Sequence, residues 1–121
     1  MGFINAAQIL ESDDLPKERV EVPEWGEGAY VFVRSLTAEE RDNWESSLIV
    51  GEGDQRKFDQ SNVRARLVVR CLCNEKGDRL FADEQAGMLG KKSAKVVARL
   101  FDAAQRMNGI GVKEEVDLGK S

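Results

Sequence analysis

One apolar stripe near the end of the chain constrains the fold more than any other feature of the sequence. Between residues 93 and 109 the apolar side chains recur three and four positions apart, which predicts an amphipathic helix with one face on a core. The stripe consists of Val96, Val97, Leu100, Phe101, Ala104 and Met107. Ser93 is placed to cap this helix, and Asn108 and Gly109 to end it. Another apolar surface must cover the stripe.

Residues 58–73 form the most apolar segment and can supply that surface. As a helix this segment places Val63, Leu67 and Cys71 on one face. Residues 67–69 could instead open a strand, but the length of the segment favours a helix. The two helices are therefore expected to share one core.

Short helices are predicted in three further places. Residues 4–10 carry a brief helical pattern. Residues 37–40 form a capping box, so a helix should begin there and stop near Gly51, in a flexible loop. A third short helix is expected between Asp83, as its cap, and Gly90.

Two stretches of alternating residues predict a β-hairpin near the N-terminus. They are residues 19–22 and 30–34, and the loop between them contains a proline and two glycines. One face of the hairpin would carry Val20, Val22, Val31 and Val33. The other face would carry Tyr30 and Phe32, so at least one more element should cover it.

These elements predict an α+β fold, a mainly α-helical single domain with one β-hairpin near the N-terminus. The domain should span residues 1–110 of the 121-residue chain, because domains of this size are common. Residues 111–121 carry too few apolar side chains to offset the entropy of ordering them, and are expected to form a flexible tail. No signal peptide or membrane-spanning run is apparent, which predicts a cytosolic protein that binds no membrane.

The residue types argue against an enzyme, a cofactor or a metal. Histidine is absent, which removes imidazole bases and imidazole ligands. Cys71 and Cys73 are expected to be buried reduced thiols, because a zinc site needs three or four ligands. A group of carboxylates at the start of one helix is interpreted as a solvated face: Glu39, Glu40, Asp42 and Glu45.

Charge is distributed unevenly along the chain. Residues 1–60 contain 14 acidic and 6 basic residues, whereas residues 61–121 contain 8 and 12. Two interpretations are about equally good: copies associate head to tail, or the two halves neutralise each other within one monomer. The net charge of −4 argues against a partner that is a nucleic acid.

Candidate partner-binding residues come from this charge pattern and from the tryptophans. Trp25 and Trp44 could each lie in the core or anchor a partner, and core burial is favoured for both. The basic side of the last helix is the other candidate surface. The predicted partner-binding residues are Trp25, Lys91, Lys92, Lys95, Arg99 and Arg106.

Four segments in a fixed order resemble one protein family. They are residues 20–26, with the sequence VEVPEWG, residues 36–45, with LTAEERDNWE, residues 64–77, with RARLVVRCLCNEKG, and residues 79–109. Together they resemble the small tail assembly chaperones of tailed phages and prophages, especially those with long non-contractile tails. The resemblance spans residues 19–109 and rests on the order and spacing of all four segments.

The resemblance implies a non-enzymatic assembly factor. Such a protein would bind the tape measure protein, keep it soluble, help to recruit the tail tube protein, and be absent from the mature virion. It would act in the cytoplasm of the bacterial host. If several copies line up through the charge asymmetry, each weak contact with one long partner gains from multivalency. The alternative is a structural virion component, such as a head–tail connector or a tail completion protein. A small-molecule enzyme is disfavoured.

Overall fold

The predicted C-terminal helix organises the molecule. In a computed structural model, which describes residues 2–110, this helix is the longest of the described elements at 15 residues. The helices are α1 (Ala6–Glu11), α2 (Ala38–Ser47), α3 (Val63–Cys71), α4 (Ala86–Leu89) and α5 (Ala94–Asn108). The strands are β1 (Lys17–Glu21), β2 (Tyr30–Arg34), β3 (Ile49–Val50), β4 (Lys57–Phe58) and β5 (Leu72–Cys73). The α+β class is as predicted.

The limits of α5 are those that its sequence predicts. The Ser93 hydroxyl accepts a hydrogen bond from the Val96 amide at the start of the helix. Gly109 follows its end with a φ of 65°, a left-handed conformation that glycine adopts without strain. Within α5, Val96 and Leu100 are completely buried. The core lies where α5 packs on α3 and on the inner face of the sheet.

The predicted hairpin is present and gains a third strand. The sheet has the order β1-β2-β5 and is antiparallel throughout. Val20 pairs with Val31, so the two valines share a face with the buried side chains of Val22 and Val33. That face packs on the core, as predicted.

The opposite face of the sheet differs from the prediction. Tyr30 keeps 41% of its surface exposed, and no helix or strand within residues 2–110 covers this end of the sheet. Side chains of β1 shield the rings instead. The Arg19 guanidinium lies 3.8 Å from the centre of the Tyr30 ring, and the Lys17 ammonium lies 5.9 Å from that of Phe32.

The predicted helix over residues 58–73 is too long at both ends. Phe58 lies in β4 and pairs with Ile49, and Asn62 has a φ of 50°, which is incompatible with a continuous right-handed helix. At the other end, Leu72 and Cys73 leave the helix and pair with β2. These strand pairings override the local helical pattern.

The glycine-rich loop after α2 is part of a second, unpredicted hairpin. Strands β3 and β4 pair with each other around a turn that begins at Gly51. Gly51 has a φ of 89°, and a side chain there would collide with the Gln55 carbonyl. The loop is therefore a defined turn that requires glycine at this position.

Asp83 has a different role from the predicted helix cap. The side chain of Gln85 accepts a hydrogen bond from the Ala82 amide at this helix start. The Asp83 carboxylate instead forms ion pairs with Arg79, at 2.6 Å, and with Arg70, at 3.4 Å. Long arginine side chains from other segments take the carboxylate away from the local amides.

Several other predictions are confirmed. Thr37 and Glu40 form the capping box of α2, and Trp44 in that helix is 2% exposed. Cys71 and Cys73 are free and buried, and burial raises the pKa of the Cys71 thiol to about 12. The predicted flexible tail lies outside the described residues.

Candidate functional site

The predicted basic side of α5 is a real surface row. Lys95, Arg99 and Arg106 lie on one side of the helix because four and seven residues separate them. Lys91 and Lys92 precede the helix cap. The five cations therefore follow α5 from its start to its last turn.

Arg99 is bound to the loop of the first hairpin. Its guanidinium donates to both carboxylate oxygens of Glu24, at 2.8 and 2.5 Å, in a bidentate ion pair. It also donates to the Glu21 carbonyl at 3.4 Å. The hydrogen bonds from Arg99 lower the pKa of Glu24 to about 2. This side of α5 is thus tied to the hairpin loop.

Arg106 makes a second connection to the hairpin. Its guanidinium lies 3.1 Å from the Glu18 carboxylate in β1. Both contacts join an acidic residue from the first half of the chain to a basic residue from the second half. At these two positions, the halves neutralise each other within the monomer.

The start of α5 is different. Lys91, Lys92 and Lys95 are exposed, and none of them forms an ion pair with any residue of the described chain 2–110. We call these three residues the free lysines. The structure thus divides the predicted basic row into a paired end, with Arg99 and Arg106, and an unpaired end.

Trp25 lies beside the paired end. It closes the 3-10 turn Pro23–Trp25, directly after Glu24, the partner of Arg99. Its side chain is 36% exposed, so the interpretation of Trp25 as a core residue is wrong, although it is right for Trp44. Trp25 is therefore next in sequence to the residue that binds Arg99.

Other exposed apolar side chains lie on the sheet and in the N-terminal segment. The uncovered end of the sheet borders a groove of about 570 Å³, lined by Tyr30, Phe32 and Leu80 among others. We call these three residues the outer sheet face. Helix α1 has no buried residue, and the apolar side chains of this segment, Phe3, Ile9 and Leu10, are more than half exposed. Sequence reasoning missed the outer sheet face because it expected a further element to cover it.

The acidic start of α2 is only partly the solvated face that the sequence suggests. Glu39 and Asp42 are exposed, but Glu40 forms an ion pair with the buried Arg34 at 2.8 Å. Burial alone would raise the pKa of Glu40, and hydrogen bonds from Arg34 and the Thr37 amide outweigh it and lower the pKa. Glu40 is therefore committed to the fold.

Metal-ligating side chains are not clustered in the described part of the chain. Across residues 2–110, no three side chains of His, Cys, Asp or Glu are grouped so that they could hold a metal ion. The helices of this part of the chain are too short or too polar to span a bilayer.

Comparison with known proteins is consistent with this description. The chain matches the sequence model of the family described as phage tail assembly chaperone over residues 9–119. Among solved structures, the bacteriophage HK97 tail assembly chaperone has a similar fold, with a TM-score of 0.58 and 18% sequence identity. The similarity covers 84% of this chain and 94% of that one. A search of curated proteins gave no significant match. The resemblance seen in the sequence is thus confirmed, and the chain belongs to the phage tail assembly chaperone family.

Proposed function

We propose that this chain is a non-enzymatic chaperone that binds the tape measure protein of its phage and keeps it soluble while the tail is assembled. The observation that carries the proposal is the family match over nearly the whole chain. The chaperone would act in the cytoplasm of the host, help to recruit the tail tube protein, and be absent from the mature virion. Self-association would let several copies hold one long partner.

Exposed apolar side chains support a chaperone role. The outer sheet face and the N-terminal segment display Tyr30, Leu80, Ile9 and Leu10 to solvent. Concentrated apolar surface of this kind is typical of protein interaction sites. A partner with exposed apolar segments would gain by burying them against these side chains.

The basic row supports the same role at its unpaired end. We propose that Trp25, Lys91, Lys92, Lys95, Arg99 and Arg106 contact the partner. Arg99 and Arg106 already have carboxylate partners within the chain, so attraction for an external acidic group would come from the free lysines. This contribution should weaken with salt, because the Debye length falls from ~10 Å at 0.1 M to ~3 Å at 1 M.

Co-expression with the tape measure protein tests the proposal. We expect the wild-type chaperone to increase the soluble fraction of the tape measure protein. The double variant Lys91→Glu with Lys95→Glu should rescue less of it. The matched control is Arg56→Glu with Lys57→Glu, which makes the same charge change at exposed residues of the second hairpin.

The outcomes separate the parts of this proposal. If the wild type does not increase the solubility of the tape measure protein, the proposal that this chain is its chaperone is ruled out. If it does and all variants rescue equally, only the assignment of the free lysines is wrong. Finding the chain as a stoichiometric component of purified virions would support the alternative, a head–tail connector or a tail completion protein.

A further inference from the structure

A groove between α3 and α5 opens beside the free lysines. It has a volume of about 380 Å³ and lies between the starts of the two helices. Its wall on α5 is formed by Ala94, Val97 and Ala98, and its wall on α3 by Val63 and Ala65. These side chains are apolar and mostly small, so another protein segment could approach the helix backbones closely.

Both charged side chains that line this groove are cationic. Arg64 and Lys92 line it, and no carboxylate does. The two other grooves described on this chain include acidic residues, such as Asp78 in one and Glu45 in the other. The α3–α5 groove therefore stands out as apolar at its floor and positive at its rim.

The two cations are not used by the fold in the way most arginines of this chain are. Neither Arg64 nor Lys92 forms an ion pair within residues 2–110, whereas Arg66 and Arg70, on the same helix as Arg64, pair with Asp59 and Asp83. Arg64 contacts only an aromatic ring, with its guanidinium 5.7 Å from the centre of the Phe101 ring. Both cations are thus available to an external carboxylate.

One end of the groove is formed by a close contact between a side chain and a glycine. Asn62, in its left-handed conformation, places its side chain so near Gly90 that a Cβ atom on Gly90 would collide with the Asn62 side-chain oxygen. Both residues line the groove. The start of α3 and the end of α4 therefore meet at this end of the groove.

We propose that the α3–α5 groove binds an acidic amphipathic helix of a partner protein. The apolar side of that helix would pack on the alanine and valine floor, and its Asp or Glu side chains would pair with Arg64 and Lys92. This inference rests on the proposed function, because the tape measure protein is the expected source of the helix. A nucleic acid fits less well, since the groove floor is apolar and the chain carries a net charge of −4.

Peptides that span the tape measure protein provide the probe. Each is about 20 residues long, enough for a helix of several turns, and is made in its natural form and with Asp and Glu replaced by Asn and Gln. We expect a subset of natural peptides to bind the wild-type protein in fluorescence anisotropy and the amide forms to bind weakly. The double variant Arg64→Glu with Lys92→Glu should bind those peptides about tenfold less tightly, since two attractive contacts become repulsive.

The variants are chosen so that misfolding does not explain the result. Position 64 lies in the first turn of α3, and position 92 directly precedes the Ser93 cap of α5. A carboxylate near a helix start interacts favourably with the helix dipole, so glutamate should not destabilise either helix. The control is again Arg56→Glu with Lys57→Glu, which should bind the peptides as the wild type does.

Each outcome decides between specific alternatives. If no natural peptide binds, if amide forms bind equally well, or if the groove variant binds like the control, the inference is wrong. Tighter binding of the groove to an oligonucleotide than to any peptide would also overturn it. So would a change of oligomeric state in the groove variant alone, because a second copy would then occupy the groove. Rescue of tape measure solubility by the wild type tests the proposed function separately and can succeed in every one of these cases.

Discussion

Toward its C-terminal end, α5 is fixed to the rest of the molecule by ion pairs, whereas the lysines at its start form no ion pair within residues 2–110. Arg99 and Arg106 are held by carboxylates of the hairpin, and Asn108 accepts a hydrogen bond from the Leu36 amide at 2.6 Å. Lys91 and Lys95, at the other end, have no such partners in the described chain. One basic row therefore has a paired part and an unpaired part, and a count of its charges does not distinguish them.

This difference indicates where a partner can bind without first breaking contacts within the chain. A partner that displaced Glu24 from Arg99 would have to replace a bidentate ion pair before it gained anything. A partner that approached the free lysines would break no ion pair of the described residues. The uneven charge of the sequence is thus neutralised within the monomer at one end of α5, and unpaired positive charge is left at the other end.

The largest effect on stability should come from the buried apolar stripe of α5. Leu100 is completely buried between α3 and the sheet. Replacing it by alanine should lower the free energy of unfolding by ~2–5 kcal/mol, through lost burial and the cavity that remains. Denaturant unfolding monitored by circular dichroism measures this change. A loss below ~0.5 kcal/mol would show that the stripe is not core, because a leucine in a packed core always costs more.

A smaller effect on stability is expected at the C-terminal end of α5. The Asn108 side chain also donates to the Ala104 carbonyl at 2.8 Å and to the Cys71 sulfur at 3.7 Å, so Asn108→Ala removes three hydrogen bonds. Because the partly buried Leu36 amide would lose its acceptor, the free energy of unfolding should fall by ~1–3 kcal/mol. The control is Asn43→Ala, an exposed position in α2. Equal stability of the two variants would mean that Asn108 does not fix this end.

Local signals account for what the sequence predicts well. The limits of α5 follow from Ser93 and Gly109, and the start of α2 from Thr37, all within a few residues of the helix that they delimit. The hairpin follows from the alternation of valines. Each of these depends on contacts between residues close in sequence, where periodicity and capping chemistry are informative.

Contacts between residues far apart in sequence account for the features that the sequence does not predict. Leu72 becomes a strand residue because β2 offers an open edge, which no local pattern reveals. Arg99 and Glu24 are 75 residues apart, so the basic row could be predicted from spacing but its division into paired and free ends could not. The α3–α5 groove likewise depends on Asn62 meeting Gly90 across a turn of the fold.

The ion pair of the fixed end should appear as pH-dependent stability. The pKa of Glu24 is lowered from 4.5 to about 2 in the folded protein by its hydrogen bonds from Arg99. A lowered carboxyl pKa means that the stabilisation is complete above pH 4.5 and is lost as the pH falls toward 2. Unfolding curves of the wild type and Glu24→Gln should therefore differ at pH 6 and converge near pH 2.

Arg99→Gln supplies the control for this interpretation. Removing either partner should abolish the same pH-dependent part of the free energy of unfolding. Removing both should cause no further loss, as a double-mutant cycle requires for a direct pair. Additive effects would show that Glu24 and Arg99 act independently. The pair would then not distinguish the fixed end from the free end.

The smallest effect on stability is expected at the unpaired end of the basic row, where the free lysines lie. Lys91→Ala with Lys95→Ala removes two exposed cations that have no ion pair in residues 2–110. Surface changes of this kind shift the free energy of unfolding by less than ~0.5 kcal/mol, and cations near a helix start oppose its dipole, so a slight gain is expected. Thermal and denaturant unfolding check this against the wild type. If the same variant also lowers the soluble fraction of co-expressed tape measure protein, its effect lies in binding, because folding is unchanged. A loss of ~1 kcal/mol or more would mean that the lysines support the fold, and the contrast between the two ends of α5 would disappear.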